Sequence, residues 1–93
     1  MFTLKHDCGS PEEVEFFEAA LVLARIKSVR KFERLIQTSA KCNHGFGFSM
    51  EFESKEGYEF YNRHPLHTKF VQERWIPEVT AFQEIDYEFY SDP

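Results

Sequence analysis

Between His44 and Phe52 the side chains alternate without a break: His44, Phe46, Phe48, Met50 and Phe52 fall on one side, Gly45, Gly47, Ser49 and Glu51 on the other. A period of two over that length specifies a β-strand with one buried face. Such a strand needs hydrogen-bonding neighbours along both edges and an apolar layer over its aromatic side. The two glycines leave room above the second face, for a closely packed helix or for a ligand. Close backbone approach is the commoner reason for glycine in a strand.

The rest of the chain supplies those neighbours. Phe2 and Leu4 alternate with Thr3 and Lys5, which predicts a short first strand over residues 2–6. After Asp7-Cys8-Gly9, the run Ser10-Pro11-Glu12-Glu13 is a helix start: Ser10 caps, Pro11 fits the first helical position and Glu13 reaches back. Val14, Phe17, Leu21 and Ala24 recur at helical spacing, broadened by Phe16, Ala20 and Leu23, and predict a helix to about Ile26. Val29 to Thr38 reads as a strand with imperfect alternation, since Phe32, Leu35 and Ile36 do not share one parity, which a bulge or an end-of-strand twist would reconcile. Ser39 to Asn43 is a loop. Ser54 caps a short helix ending near Arg63. Pro65 biases His64 out of helical geometry and opens a second helix, carrying Leu66, Phe70, Val71 and Trp75, which Pro77 ends. Val79 to Tyr90 forms the last strand, with Ile85, Tyr87 and Phe89 on one face and Phe82 out of parity.

The order β-α-β-β-α-β defines an α+β, ferredoxin-like fold: a four-stranded antiparallel sheet with helices on one face. A chain of 93 residues is one domain, 1–93, and buries only roughly 60–65% of its unfolded surface. It has no second layer for the other sheet face, which is expected to be apolar and to be covered by a second copy in a homodimer. Eleven phenylalanines with four glycines and four prolines exclude a linker or disordered tail. No apolar run approaches the ~18 residues of a membrane span, and the first residues lack the pattern of a secretory signal. A cytoplasmic location, with no membrane partner, is the expectation. The net charge of −5, with Lys27, Arg30, Lys31 and Arg34 dispersed among acids, argues against a nucleic-acid partner. Cys8 and Cys42 lack Cys-x-x-Cys spacing and read as free thiols, a disulfide between them having no positive support.

The corner Tyr61-Asn62-Arg63-His64-Pro65-Leu66-His67 concentrates the polar chemistry. There the sequence resembles the stress-responsive dimeric α/β-barrel (Dabb) family, whose pattern is a tyrosine, two variable residues, then His-Pro-x-His. The preceding Met50 to Tyr58 and the closing Ile85-Asp86-Tyr87 extend the resemblance over almost the whole chain. It implies a dimer whose two sheets face each other in a closed barrel, with helices outside. Olivetolic acid cyclase-type members perform an aldol cyclisation without metal or cofactor. By that similarity His67 is the general base and Tyr61 the donor to a developing oxyanion. The resemblance lapses at the first strand, where the family's usual histidine near the strand start is absent and His6 comes too late.

Those roles are chemically coherent. Proton abstraction beside a carbonyl needs a base near ambient pH, which histidine is, and an enolate needs a donor such as a phenol. The structural reading stands beside them: ring nitrogens at a His-Pro corner also bond backbone groups freed by the proline. His64 is read as structural. His64 and His67, with Glu73, lack a further ligand at a recognisable spacing, so no metal and no cofactor is expected. Phe46 and Phe48 are candidate ligand contacts as well as core residues, and His44 is a candidate sheet or interface residue. Three functions remain open: a small hydrophobic or carbonyl-bearing ligand in the barrel, with or without His/Tyr acid-base chemistry; a non-catalytic homodimer serving assembly or stability under stress; and a cofactor-independent monooxygenase. The residues leave open whether any reaction takes place.

Overall fold

The computed structural model describes residues 1–42 and 44–88. Strands β1 (Phe2–Leu4), β2 (Arg30–Ile36), β3 (Phe46–Glu51) and β4 (Val79–Phe82) form one sheet in the order β2-β3-β1-β4, every neighbouring pair antiparallel. The helices α1 (Pro11–Ala20), α2 (Lys55–Arg63), α3 (Pro65–Phe70) and α4 (Ile76–Glu78) connect the strands as the sequence predicts, β-α-β-β-α-β. This is the ferredoxin-like α+β fold.

α1 begins as its sequence dictates. Ser10 Oγ accepts from the Glu13 amide at 3.2 Å, and Glu13 Oε2 accepts from the Gly9 amide at 3.2 Å. Its buried face is centred on the expected broadening residues Phe16, Ala20 and Leu23 rather than on Val14 and Leu21. Val14 is 54% exposed and Leu21 40%, while Phe16 and Ala20 are fully buried. The helix tightens into a 3₁₀ turn over Leu21–Arg25. Three residues per turn bring Ala20, Leu23 and Ile26 into line, and all three are buried. The apolar stripe therefore follows 3₁₀ spacing from Ala20 onward, a phase that a 3.6-residue count misassigns. At its centre Phe16 meets the rings of Phe2, Phe17, Phe48, Phe70 and Trp75. Burial of a Phe side chain contributes about 2–3 kcal/mol.

β2 carries a bulge near its start, where the register against β3 shifts between Arg30 and Glu33 and Lys31 takes a left-handed φ of 49°. From Glu33 to Ile36 the ladder is regular, so Leu35 and Ile36 lie on opposite faces without a slip between them. β3 is shorter than its alternation, and His44 leaves the aromatic face. His44 Nδ1 lies 3.0 Å from Thr3 Oγ1, and Thr3 points away from the side on which Phe2 and Leu4 are buried. Alternation ends where the ladder ends, so parity does not carry back across Gly45. No helix packs over the glycines: a Cβ at Gly45 or Gly47 would meet nothing within 4 Å. Among the described residues nothing covers the face away from the helices, and that face is mixed rather than apolar. Cross-strand partners share a face, which places Leu35 with Gly47, Glu33 with Ser49 and Thr3 with Ala81 there. The large apolar residues of β1 and β3 are spent on the helix side.

Between the last two strands, Ser54 Oγ caps α2 by accepting from the Gly57 amide at 3.0 Å. Pro77 falls within the last helical turn instead of stopping the helix. The chain accommodates it through a π turn, Val71–Trp75, in which the Ile76 amide reaches back five residues to the Val71 carbonyl. A proline ring in a regular helix would press on the carbonyl four residues earlier, here that of Glu73, and widening the turn removes that clash. β4 ends at Phe82, well short of Tyr90. The Gln83 amide donates to the Met1 carbonyl and the Met1 ammonium to the Gln83 carbonyl, the last pair along β1, which is only three residues long. Residues 84–88 continue without a strand partner among the described residues. Ile85 and Tyr87 are exposed there, 45% and 86%. The expected contribution of Phe89 and the strand end at Tyr90 lie outside the described residues.

Candidate functional site

The corner between α2 and α3 is built by its proline. His64 has φ −65° and ψ 136°, the extended geometry that a following proline imposes, and Pro65 takes the first position of α3. His64 Nδ1 accepts from the Leu66 amide at 3.1 Å, capping α3 in the way Ser or Asn caps other helices. The structural role read for His64 is thus a helix cap. The turn it makes sets His67 back against Tyr61, with ring centroids 4.3 Å apart at 42°.

Tyr61 is buried, 7% exposed, under Phe52, whose ring lies 5.3 Å away. Burial, reinforced by the charges of Tyr58 and Glu84, holds its phenol well above the ordinary tyrosine value. It is therefore a donor at every physiological pH. His67 Nδ1 lies 3.1 Å from the Asn62 carbonyl oxygen. A carbonyl only accepts, so Nδ1 carries the hydrogen and Nε2 keeps its lone pair. Among the described residues neither Tyr61 Oη nor His67 Nε2 has a hydrogen-bond partner, yet neither is sealed: the fully buried, unpartnered side-chain oxygen is that of Ser28. Adjoining rings thus carry one donor and one acceptor that are unpartnered and not fully sealed.

Three residues missed by the sequence reading complete this cluster. Tyr58 Oη donates to Glu84 Oε2 at 3.0 Å, and the Tyr58 ring packs edge-on to Phe52 at 5.3 Å. The Asn62 amide pulls the Tyr58 phenol down, but burial and the carboxylates of Glu84 and Asp86 outweigh it and leave it raised. The available signal was the spacing Tyr58, Tyr61, Asn62, which puts all three on one helix face. Nothing in the sequence pointed to Glu84.

Phe46 and Phe48 are not brought to Tyr61 and His67. Phe46 packs on Phe17 at 4.9 Å, and Phe48 on Phe2 at 4.7 Å, within the aromatic core. Phe52, at the far end of the same stripe, is the β3-side ring that reaches Tyr61. Two shallow hollows, of about 180 Å³ between α1 and α3 and about 230 Å³ beside Phe46 and Leu35, touch neither Tyr61 nor His67. Glu73 lines the first of them. Among the described residues no group of three His, Cys, Asp or Glu side chains could hold a metal. Cys8 is exposed and Cys42 half-buried, both free.

A second polar cluster lies apart. His6, beyond the end of β1, places Nε2 2.6 Å from Glu78 Oε1, and Arg74 Nε donates to Glu78 Oε2 at 2.6 Å. Arg74 also stands 3.7 Å from Glu15. Desolvation pushes the Glu78 carboxyl up, but Arg74 and His6 together pull it below the ordinary carboxylate value. His6 thus ties the strand end to the last helix and takes no part in the Tyr61 cluster. No helix among the described residues is long and apolar enough to cross a membrane.

The comparisons with known proteins agree with the ferredoxin-like fold. No curated protein matches the chain. A dimeric protein of unknown function with a ferredoxin-like fold from Bacteroides fragilis shares 22% identity over 95% of this chain and 89% of its own, at a TM-score of 0.69, a likeness of fold alone. A Dabb family protein with a ferredoxin-like fold from Mesorhizobium loti is 48% identical over 97% of this chain and 91% of its own, at a TM-score of 0.94. The family described as the stress responsive A/B barrel domain matches residues 1–89. The chain belongs to the stress-responsive A/B barrel family, Dabb.

Proposed function

We propose that the protein, as a homodimer joined through its uncovered sheet faces, binds a small hydrophobic or carbonyl-bearing ligand at Tyr61 and His67. The observation that carries this reading is the pair of unpartnered, solvent-reachable atoms: Tyr61 Oη as donor and His67 Nε2 as acceptor, the latter fixed in its tautomer by Asn62. A ligand carbonyl accepting from Tyr61 would set its neighbouring C–H against the His67 base. Proton transfer of this kind needs no metal or cofactor. The dimer is supported by Gly47, above which the protomer leaves open space, by the small residues Thr3, Ser49 and Ala81 beside it, and by the dimeric description of the Bacteroides protein of like fold. The two free cysteines favour a reducing compartment such as the cytoplasm.

The test is thermal denaturation of wild type, His67→Ala and Tyr61→Phe against a panel of aryl ketones and aldehydes. A ligand at ten times its Kd stabilises by about 1.4 kcal/mol, a rise of about 6–11 °C in a domain of this size. The rise should appear in wild type and shrink in both variants. No rise in any of the three, or the same rise in all, would overturn the ligand reading. A second reading, a non-catalytic homodimer serving assembly, is favoured by the packing of Phe46 and Phe48 into the core and by hollows that lie away from the corner. It expects an intact dimer with no ligand-dependent stabilisation.

A further inference from the structure

Four separate pieces of chain meet at Tyr61. Phe52 follows β3, Tyr58 and Asn62 share the helix face of Tyr61, His67 comes from α3, and Glu84 comes from the segment after β4. The Phe52 ring lies 5.3 Å from both phenol rings and joins them into one aromatic surface. Tyr58 Oη holds Glu84 Oε2 at 3.0 Å on the solvent side of this surface. Glu84 is exposed, Tyr58 half-buried and Tyr61 buried, so the carboxylate that Tyr58 holds lies at the solvent edge of this aromatic surface. The same charge bears on both phenols and raises them.

We infer that Glu84 is a specificity-determining residue of this site, held in place by Tyr58, which lets uncharged carbonyl compounds reach Tyr61 and His67 and turns carboxylates away. The inference rests on the ligand reading proposed above. A neutral carbonyl oxygen accepting from Tyr61 brings no net charge toward Glu84. A carboxylate in the same position does, and its approach is disfavoured by like-charge repulsion. Because Glu84 is exposed, solvent screening limits the effect to about three- to five-fold in affinity, and salt reduces it further.

Benzamide and benzoate are a suitable probe pair, alike in shape and different in charge. Titration of each into ¹⁵N-labelled wild type and Glu84→Gln, read from the amide signals around Tyr61 and His67, gives four dissociation constants. Wild type should bind benzamide more tightly than benzoate. Glu84→Gln should raise the affinity for benzoate relative to that for benzamide about three- to five-fold. In about 0.5 M salt the two proteins should converge, because the screening length falls to a few ångströms. Binding of both compounds at the corner with a ratio unaffected by Glu84→Gln would overturn this inference alone. Absence of any response to either compound would overturn the ligand reading, and this inference with it.

Discussion

Glu78→Gln removes the charge on which His6 and Arg74 converge while keeping the shape of the side chain. The carboxylate accepts from Arg74 Nε at 2.6 Å and Nη2 at 3.4 Å, and from His6 Nε2 at 2.6 Å. The Glu78 and His6 side chains are only 12% and 13% exposed, so solvent screens the interaction little. A hydrogen bond to a charged group contributes about 1.5–3 kcal/mol, and leaving Arg74 facing an uncharged amide adds a desolvation cost that is no longer offset. With the residual bonds that Gln still makes, the net loss should be about 2–3 kcal/mol, or about 10–20 °C in a domain of this length. The pH dependence follows from the sign of the shift. The Glu78 carboxyl is more acidic folded than its ordinary value of 4.5, so its contribution is complete above that value. It is lost as pH falls through the lower, folded value. Urea denaturation of wild type and Glu78→Gln from pH 7 down to pH 3 should therefore show a gap that is full at neutral pH and closes below about 4.5. A gap under about 0.5 kcal/mol at pH 7, as an exposed ion pair gives, or a gap that persists unchanged in acid, would refute the assignment of this cluster as a stabilising clamp.

Three other outcomes follow from the geometry. Phe16→Ala should cost about 3–5 kcal/mol by denaturant titration, since the side chain is fully buried among five aromatic rings. His64→Ala should cost about 1 kcal/mol and increase amide exchange at Leu66, whose N–H loses its acceptor, whereas His64→Asn should recover most of the loss. Gly47→Leu should leave protomer folding nearly unchanged, because no atom lies within 4 Å of the added Cβ, yet it should weaken self-association in sedimentation velocity by filling the face a partner sheet would cover.

Local chemistry was legible in the sequence, and distant pairing was not. Ser10, Ser54 and the His64-Pro65 corner act within a few residues of themselves, and each makes the turn or cap that its residue type favours. The alternation of β3 likewise marked the sheet. Where two local periods compete, the reading misassigned part of the face: the chain tightens to three residues per turn after Ala20, which leaves Leu21 outside the core while Leu23 and Ile26 enter it. Parity also misplaced His44, because the residue lies beyond the ladder that enforces it. The polar clusters depend on contacts of long sequence separation. His6 meets Glu78 across 72 residues and Tyr58 meets Glu84 across 26, and no pattern in the intervening chain encodes either. Tyr61 and His67 came together because one proline-fixed turn lies between them. Phe46 and Phe48 did not join them, because they lie along the stripe toward the core while Phe52 lies at its end beside α2.

The chemical reading of the corner depends on which nitrogen of His67 is free. Long-range ¹H–¹⁵N correlation spectra of the neutral imidazole ring separate the protonated nitrogen from the bare one. The bond to the Asn62 carbonyl requires hydrogen on Nδ1 and a pyridine-like Nε2 next to Tyr61. A spectrum showing Nε2–H with a bare Nδ1, or fast averaging of the two tautomers, would contradict that geometry and remove the base from the site.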